Sequence, residues 1–315
     1  MWVLIALLGN TTLALVGIID KLILTKAVSK PIVLVFYSTI FILPAFLILP
    51  FGFVTMPLVG THYGLSLVSG FCFALGLWAM YLAITKGEVS RIGPIIGAVT
   101  PFFILFLSRF FLGEKLGPYA LLAAIFLMVG SLIISIDSKE GTSPWRSGLE
   151  WAAVSGFLFA ISHVSAKYIY NQYDFVSGFV LTKLPIGIFA IFLLLSPSVR
   201  AVFAKKKEIA ALKPVGERQE TSIKKILGKY QVLLVGGNIL LGALGAVLLQ
   251  YAMSIGSVSL VNALAGVQFA MLIVLVAIIS KFFPQILKET FSKKEILQKA
   301  VAVFFISIGL LLLLM

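Results

Sequence analysis

Lys183 lies inside the apolar run FVSGFVLTKLPIGIFAIFLLL, Phe175 to Leu195. If that run is a helix, the residue sits about 12 Å below its starting surface. A lysine near the centre of a bilayer costs roughly 2.5–3.5 kcal/mol on insertion scales, so it normally faces a cavity or a partner. Pro185 has no N–H for the carbonyl of Leu181, which loosens the helix there and leaves an acceptor free. The preceding apolar run ends at Tyr170 and carries His163 about 10 Å from that end. Lys167 follows one turn later on the same face. The short link NQYD makes the two helices antiparallel neighbours and places His163 and Lys183 in one layer. Such a layer suits an anionic or zwitterionic ligand, and His163 is the mid-span group able to carry a proton near neutral pH. The competing readings are structural: a snorkelling Lys183, an interhelical hydrogen bond for His163, and an interface anchor for Lys167.

The acids are informative by position. Asp20, Glu88, Glu114, Asp137, Glu150 and Asp174 all fall within a turn or two of a span end. A buried carboxylate is the usual device for binding organic cations or coupling to protons or sodium, and none shares the layer of Lys183. Other polar side chains are placed to line the same space: Tyr37, Trp78, Tyr81, Asn238, Gln250, Asn262 and Gln268. With Lys183, His163 and Lys167 they form the expected substrate-binding set, although each polar one also suits a packing hydrogen bond. No catalytic residue, cofactor or metal is expected. Cys72 is the lone cysteine, His62 and His163 are the two histidines, and no zinc-protease, nucleophile-elbow, Walker or Rossmann pattern occurs.

The elements that hold these groups are read from hydropathy. The chain has 315 residues, 60% of them hydrophobic and 12% charged, with a mean hydropathy of +1.11. A soluble core could not be covered by so little polar surface. Apolar runs long enough to span a bilayer recur near 2–24, 31–50, 63–85, 89–112, 117–136, 148–170, 175–195, 230–254, 258–280 and 296–315. The expected fold is therefore an all-α integral membrane domain of ten transmembrane helices. The opening MWVLIALLGN lacks the basic residues that precede the apolar core of a signal peptide and reads as the first helix.

The formal charge of +13 is distributed to one side. The turns reached after the first helix hold all but four of the 25 Lys and Arg; the exceptions are Arg109, Lys115, Lys167 and Lys183. By the positive-inside rule the basic side is cytoplasmic and both termini lie outside the cell membrane. The same distribution argues against a nucleic-acid partner. The basic loop 197–229 reads either as a solvated topology determinant or as a segment lying on anionic lipid.

Self-similarity organises the ten runs. ALGLWAMYLAITKGEVSRIGPIIG (74–97) aligns without gaps on ALGAVLLQYAMSIGSVSLVNALAG (243–266), and SRFF (108–111) answers SKFF (280–283). MVGSLII in the fifth run resembles SIGLLLL in the tenth. The offset pairs runs three to five with runs eight to ten, so each repeat has five spans and the second enters the membrane inverted. The repeats are read as 1–137 and 138–315. Inverted repeats are the signature of secondary transporters, which bind substrate near the midplane between them.

The spacing of Pro101 and Glu114 in PFFILFLSRFFLGEKL resembles the drug/metabolite transporter superfamily, in its ten-helix EamA-like family. Gly113-Glu114 closing the fourth helix, Gly130 in the fifth and the turn YLAITKGEVSRIGP are similar too. The second half departs: Ala270 stands where Pro101 maps, and FFPQILKE replaces the Gly-Glu turn. The resemblance implies a transporter of small metabolites working by alternating access, with membrane lipids around it, as a monomer or homodimer. A lipid or lipid-linked headgroup flippase is the alternative, and a membrane-embedded enzyme a more distant one.

Overall fold

A computed structural model describes residues 1–23, 31–40, 59–86, 89–136, 148–204, 222–282 and 293–315, with scattered positions between 42 and 55. The Gly87-Glu88 turn, Asp137, the centre of the basic loop and the segment 283–292 lie outside the described residues, as does the side chain of Asp20. The described residues are all-helical, without a strand. The helices are α1 (Trp2–Ile23), α2 (Pro31–Ile40), α3 (Gly60–Lys86), α4 (Val89–Phe111), α5 (Pro118–Ser135) and α6 (Leu149–Gln172). They continue with α7 (Phe175–Leu193), α8 (Pro197–Ala204), α9 (Ser222–Ile255), α10 (Val258–Ala263), α11 (Ala265–Phe282) and α12 (Lys293–Leu314).

Eight spans among these are long and apolar enough to cross a membrane, with α10 and α11 together forming one. Two shorter apolar helices, Pro31–Ile40 and Leu240–Ile255, stand where the second and eighth spans were expected. Three boundaries differ from the hydropathy reading. The second run is α-helical only to Ile40, and the eighth helix begins at Ser222 rather than near 230. The ninth is broken at Leu264, where the Leu264 N–H turns back to Leu260 O and the Val267 N–H to Leu264 O.

The outer faces are apolar. Phe102, Phe106 and Phe110 run as an exposed stripe along α4, and Leu4 and Leu8 do the same on α1. Residues four apart share a helix face, so these stripes present hydrocarbon to hydrocarbon. Buried positions instead favour small residues, such as Ser66, Ser69, Gly70, Ala74, Gly76 and Ala79 on α3. Small residues let backbones approach where no hydrophobic drive exists between helices.

Helix neighbours follow a pattern. Helix α3 packs on α6, and α9 packs on α1; α4 packs on α6, and α11 on α1. Helices α5 and α12 pack on each other, and their contact is reciprocal. A Cβ at Gly130 would lie 2.5 Å from Ile306 and 3.0 Å from Ala302 O. A Cβ at Gly309 would lie 2.8 Å from Leu127 and 3.0 Å from Ala123 O. Each glycine thus receives the residue three before the other glycine, and meets the carbonyl seven before it.

Candidate functional site

Helix α3 is clasped to α6 by two hydroxyls. Ser69 Oγ donates to Ser162 O at 3.0 Å, and Ser155 Oγ donates to Gly76 O at 2.9 Å. Phe159 of α6 fits over Gly76. On its other side α3 rides against α7 at Gly70, where an added Cβ would lie 2.7 Å from Pro185 Cβ and 3.1 Å from Ile186 N. Phe73, one turn above Gly70, is thereby held between α6 and α7.

Phe73 is the platform of the site. Lys183 is 9% exposed, and its Nζ lies 4.9 Å from the Phe73 ring centroid and 5.6 Å from that of Phe179. His163 meets the same Phe73 ring at 6.4 Å and stacks on Phe159 at 6.3 Å with an interplanar angle of 11°. His163 and Lys183 interact through space, and the Asn262 side chain reaches His163. The Nδ1 atom of His163 is sealed and has no hydrogen-bond partner. Among the described residues no carboxylate and no hydrogen-bond acceptor meets Lys183. A cation over an aromatic face recovers about 0.5–2 kcal/mol, less than the several kcal/mol of removing an ammonium from water. The two ring contacts therefore offset only part of the cost of burying this charge.

One turn away along α6 the polar groups are all engaged. Lys167 Nζ donates to Ser254 O at 3.0 Å and also feels the Glu114 carboxylate. Tyr170 Oη donates to Gln250 Oε1 at 2.9 Å, and Thr182 Oγ1 donates to Gly178 O at 2.8 Å. Ser259 donates to Glu114 Oε2 and lies 2.9 Å from Ser108 Oγ. A left-handed Gly113, φ +65°, makes this possible. The Glu114 N–H returns to Ser108 O, six residues back, at 3.1 Å, so the helix closes on a turn one residue wider than the six-to-one bond of a Schellman motif. Only glycine adopts that φ without strain, and the turn folds Glu114 back beside Ser108 so that both face Ser259.

Residues 1–136 match the model of the EamA-like transporter family. The first half of the chain is EamA-like. It carries the motif that the sequence pointed to, consistent with the drug/metabolite transporter superfamily. A protein of known crystal structure shares this chain's fold, with a TM-score of 0.61 over 98% of both chains at 15% identity. No curated protein matches the sequence.

Of the side chains expected to bind substrate, the structure brings Lys183, His163 and Asn262 together around Phe73. Lys167 and Gln250 belong to the engaged cluster beside them. Asn262 Nδ2 also donates to Val258 O at 2.8 Å. Tyr81 Oη pairs with Ser38 Oγ at 2.6 Å. Asn238 is buried on α9 and Gln268 half-buried on α11. Trp78 and Tyr37 are 38% and 37% exposed and share no hydrogen bond or ring contact with the Lys183 cluster. Phe73, Phe159, Phe179 and Tyr170 were not singled out by sequence. Only the helical spacing of Tyr170 from His163, seven residues on the same face, could have marked one of them.

Proposed function

We propose that this chain is a secondary transporter that moves a small anionic or zwitterionic metabolite across the cell membrane by alternating access. The observation that carries the proposal is Lys183: an ammonium at mid-span, on two aromatic faces, with no carboxylate beside it among the described residues. Intramembrane charges are conserved in energy terms only where they bind, couple or pair. The substrate would take the place of the missing anion, with His163 and Asn262 beside it.

Ten spans in two inverted repeats, 1–137 and 138–315, form the scaffold in this reading. Support comes from the exchange of neighbours, α3 with α6 against α9 with α1, and from the reciprocal α5–α12 contact. The aligned Gly76 and Gly245 are both close-approach points, toward α6 and α1 respectively. The basic turns face the cytoplasm and the termini face outward. The protein works among membrane lipids as a monomer or homodimer.

The test is uptake into proteoliposomes of a labelled panel of organic acids and amino acids, run beside thermal melts. Lys183→Met keeps the stem's volume and removes the charge. Uptake of the transported panel member should fall more than tenfold, with melting temperature held or raised because an unpaired buried charge is gone. Lys167→Met, which loses one bond to Ser254 O, should keep uptake within a few fold. Normal uptake by Lys183→Met would refute the assignment.

A further inference from the structure

The groups around Lys183 define which anion fits, given the reading that Lys183 marks the transport site. We propose that the site takes a monocarboxylate with a flat apolar body and no free amine. Around Phe73 two polar groups lack a hydrogen-bond partner among the described residues: the Lys183 ammonium, which meets only the Phe73 and Phe179 ring faces, and His163 Nδ1. Their neighbours are engaged, Tyr170 with Gln250, Thr182 with Gly178 O, and Asn262 Nδ2 with Val258 O. Lys183 and His163 share the Phe73 ring. A carboxylate has two oxygens on one carbon, so one accepts from Nζ while the other accepts from a protonated Nδ1.

Among the described residues Lys183 is the one cation on the Phe73 ring, so a second negative charge meets no second cation there. Lys167, the next cation along α6, donates to Ser254 O and faces Glu114. That argues against phosphate esters. An α-ammonium would need a carboxylate, and among the described acids Glu114 is engaged by Ser259, Glu150 and Asp174 are exposed, and Glu295 lies in the first turn of α12. It would also stand beside the Lys183 ammonium as a like charge. The remaining walls are ring faces, from Phe73, Phe159 and Phe179. Phe73 and Phe179 keep part of their surface accessible while the neighbouring Val180, Leu181 and Ile186 are sealed. Flat apolar surface is what such rings stack against.

The test is calorimetric titration of the full chain in nanodiscs with benzoate, phenylalanine, phenyl phosphate, benzyl alcohol and acetate. Benzoate should bind at least tenfold more tightly than any of the other four. Lys183→Met should lose benzoate by more than tenfold, with benzyl alcohol unaffected. Phenylalanine or phenyl phosphate binding as tightly as benzoate would overturn the proposal, and so would acetate matching it or benzoate failing to bind. The ranking on the unsubstituted protein decides the point even if a variant is unstable. Benzoate that binds through Lys183 but is not taken up by proteoliposomes upholds the ligand class and refutes the transport reading.

Discussion

Two polar clusters sit side by side where α6 meets its neighbours, and they are built on opposite terms. In one, Lys167, Tyr170, Gln250, Glu114, Ser259 and Ser108 each have a named partner. In the other, Lys183 and His163 Nδ1 have none among the described residues. An engaged hydrogen bond adds a net ~0.5–1.5 kcal/mol. An unengaged ammonium at mid-span instead costs roughly 2.5–3.5 kcal/mol. One cluster therefore ties α6 to α9 and the end of α4 to α10, while the other, Lys183 of α7 beside His163 of α6, weakens the fold. That contrast separates structure from function more sharply than residue type does, since each cluster contains a lysine.

The largest break in the contrast should come from Gly70→Val. The added carbons meet the Pro185 ring and the Ile186 amide, so α3 must move off α7 and take Phe73 with it. Overpacking of this kind costs about 1–3 kcal/mol. Melting temperature and Lys183-dependent binding should fall together. Binding that survives unchanged would show that Phe73 is not the platform.

Glu114→Gln tests the engaged cluster. The amide oxygen can still accept from Ser259, but the charge facing Lys167 is gone. Stability should drop by about 1 kcal/mol, the difference between a charge-assisted hydrogen bond and a neutral one. Ligand affinity should stay within twofold. A variant with a normal melt and abolished binding would move Glu114 into the site.

The smallest effect concerns Asp174, which caps α7 through the Ser177 N–H at 3.0 Å and the Ser177 hydroxyl at 2.6 Å. Burial pushes its carboxyl up, but the Ser177 hydroxyl and backbone N–H groups outweigh it and hold it below the usual range. A depressed folded value means the cap contributes fully above the unfolded value, near 3.9, and loses that contribution as pH falls through the folded one. At neutral pH the cap is worth about 1 kcal/mol or less. The melting difference between the wild type and Asp174→Ala should be present at pH 7 and shrink toward pH 3. A difference that does not change with pH would remove the carboxylate from the cap.

Much of the helix order was legible because an apolar run of bilayer length has few other uses. The pairing of His163 with Lys183 was legible too, since the short NQYD link fixes two neighbours and depth can be counted from it. Phe73 was not. In a chain with 26 phenylalanines, one ring carries no signal until the helix that holds it is placed. The Glu114–Ser259 bond joins residues far apart in the chain. A local reading of the sequence offers Glu114 its charged neighbours Lys115 and Arg109, not Ser259. The break at Leu264 escaped for a different reason. Hydropathy is continuous across it, and only backbone hydrogen bonds mark the turn.

The contact between α5 and α12 has a consequence for ancestry. Gly130 receives Ile306 as Gly309 receives Leu127. A surface that mates with its own image is the kind that two copies of one shorter chain can build without a second, complementary surface ever arising. Any substitution that improved it in such an ancestor would have acted twice at once, and any that harmed it would have harmed it twice. Within one chain Gly130 and Gly309 are substituted separately, so a change at either acts once.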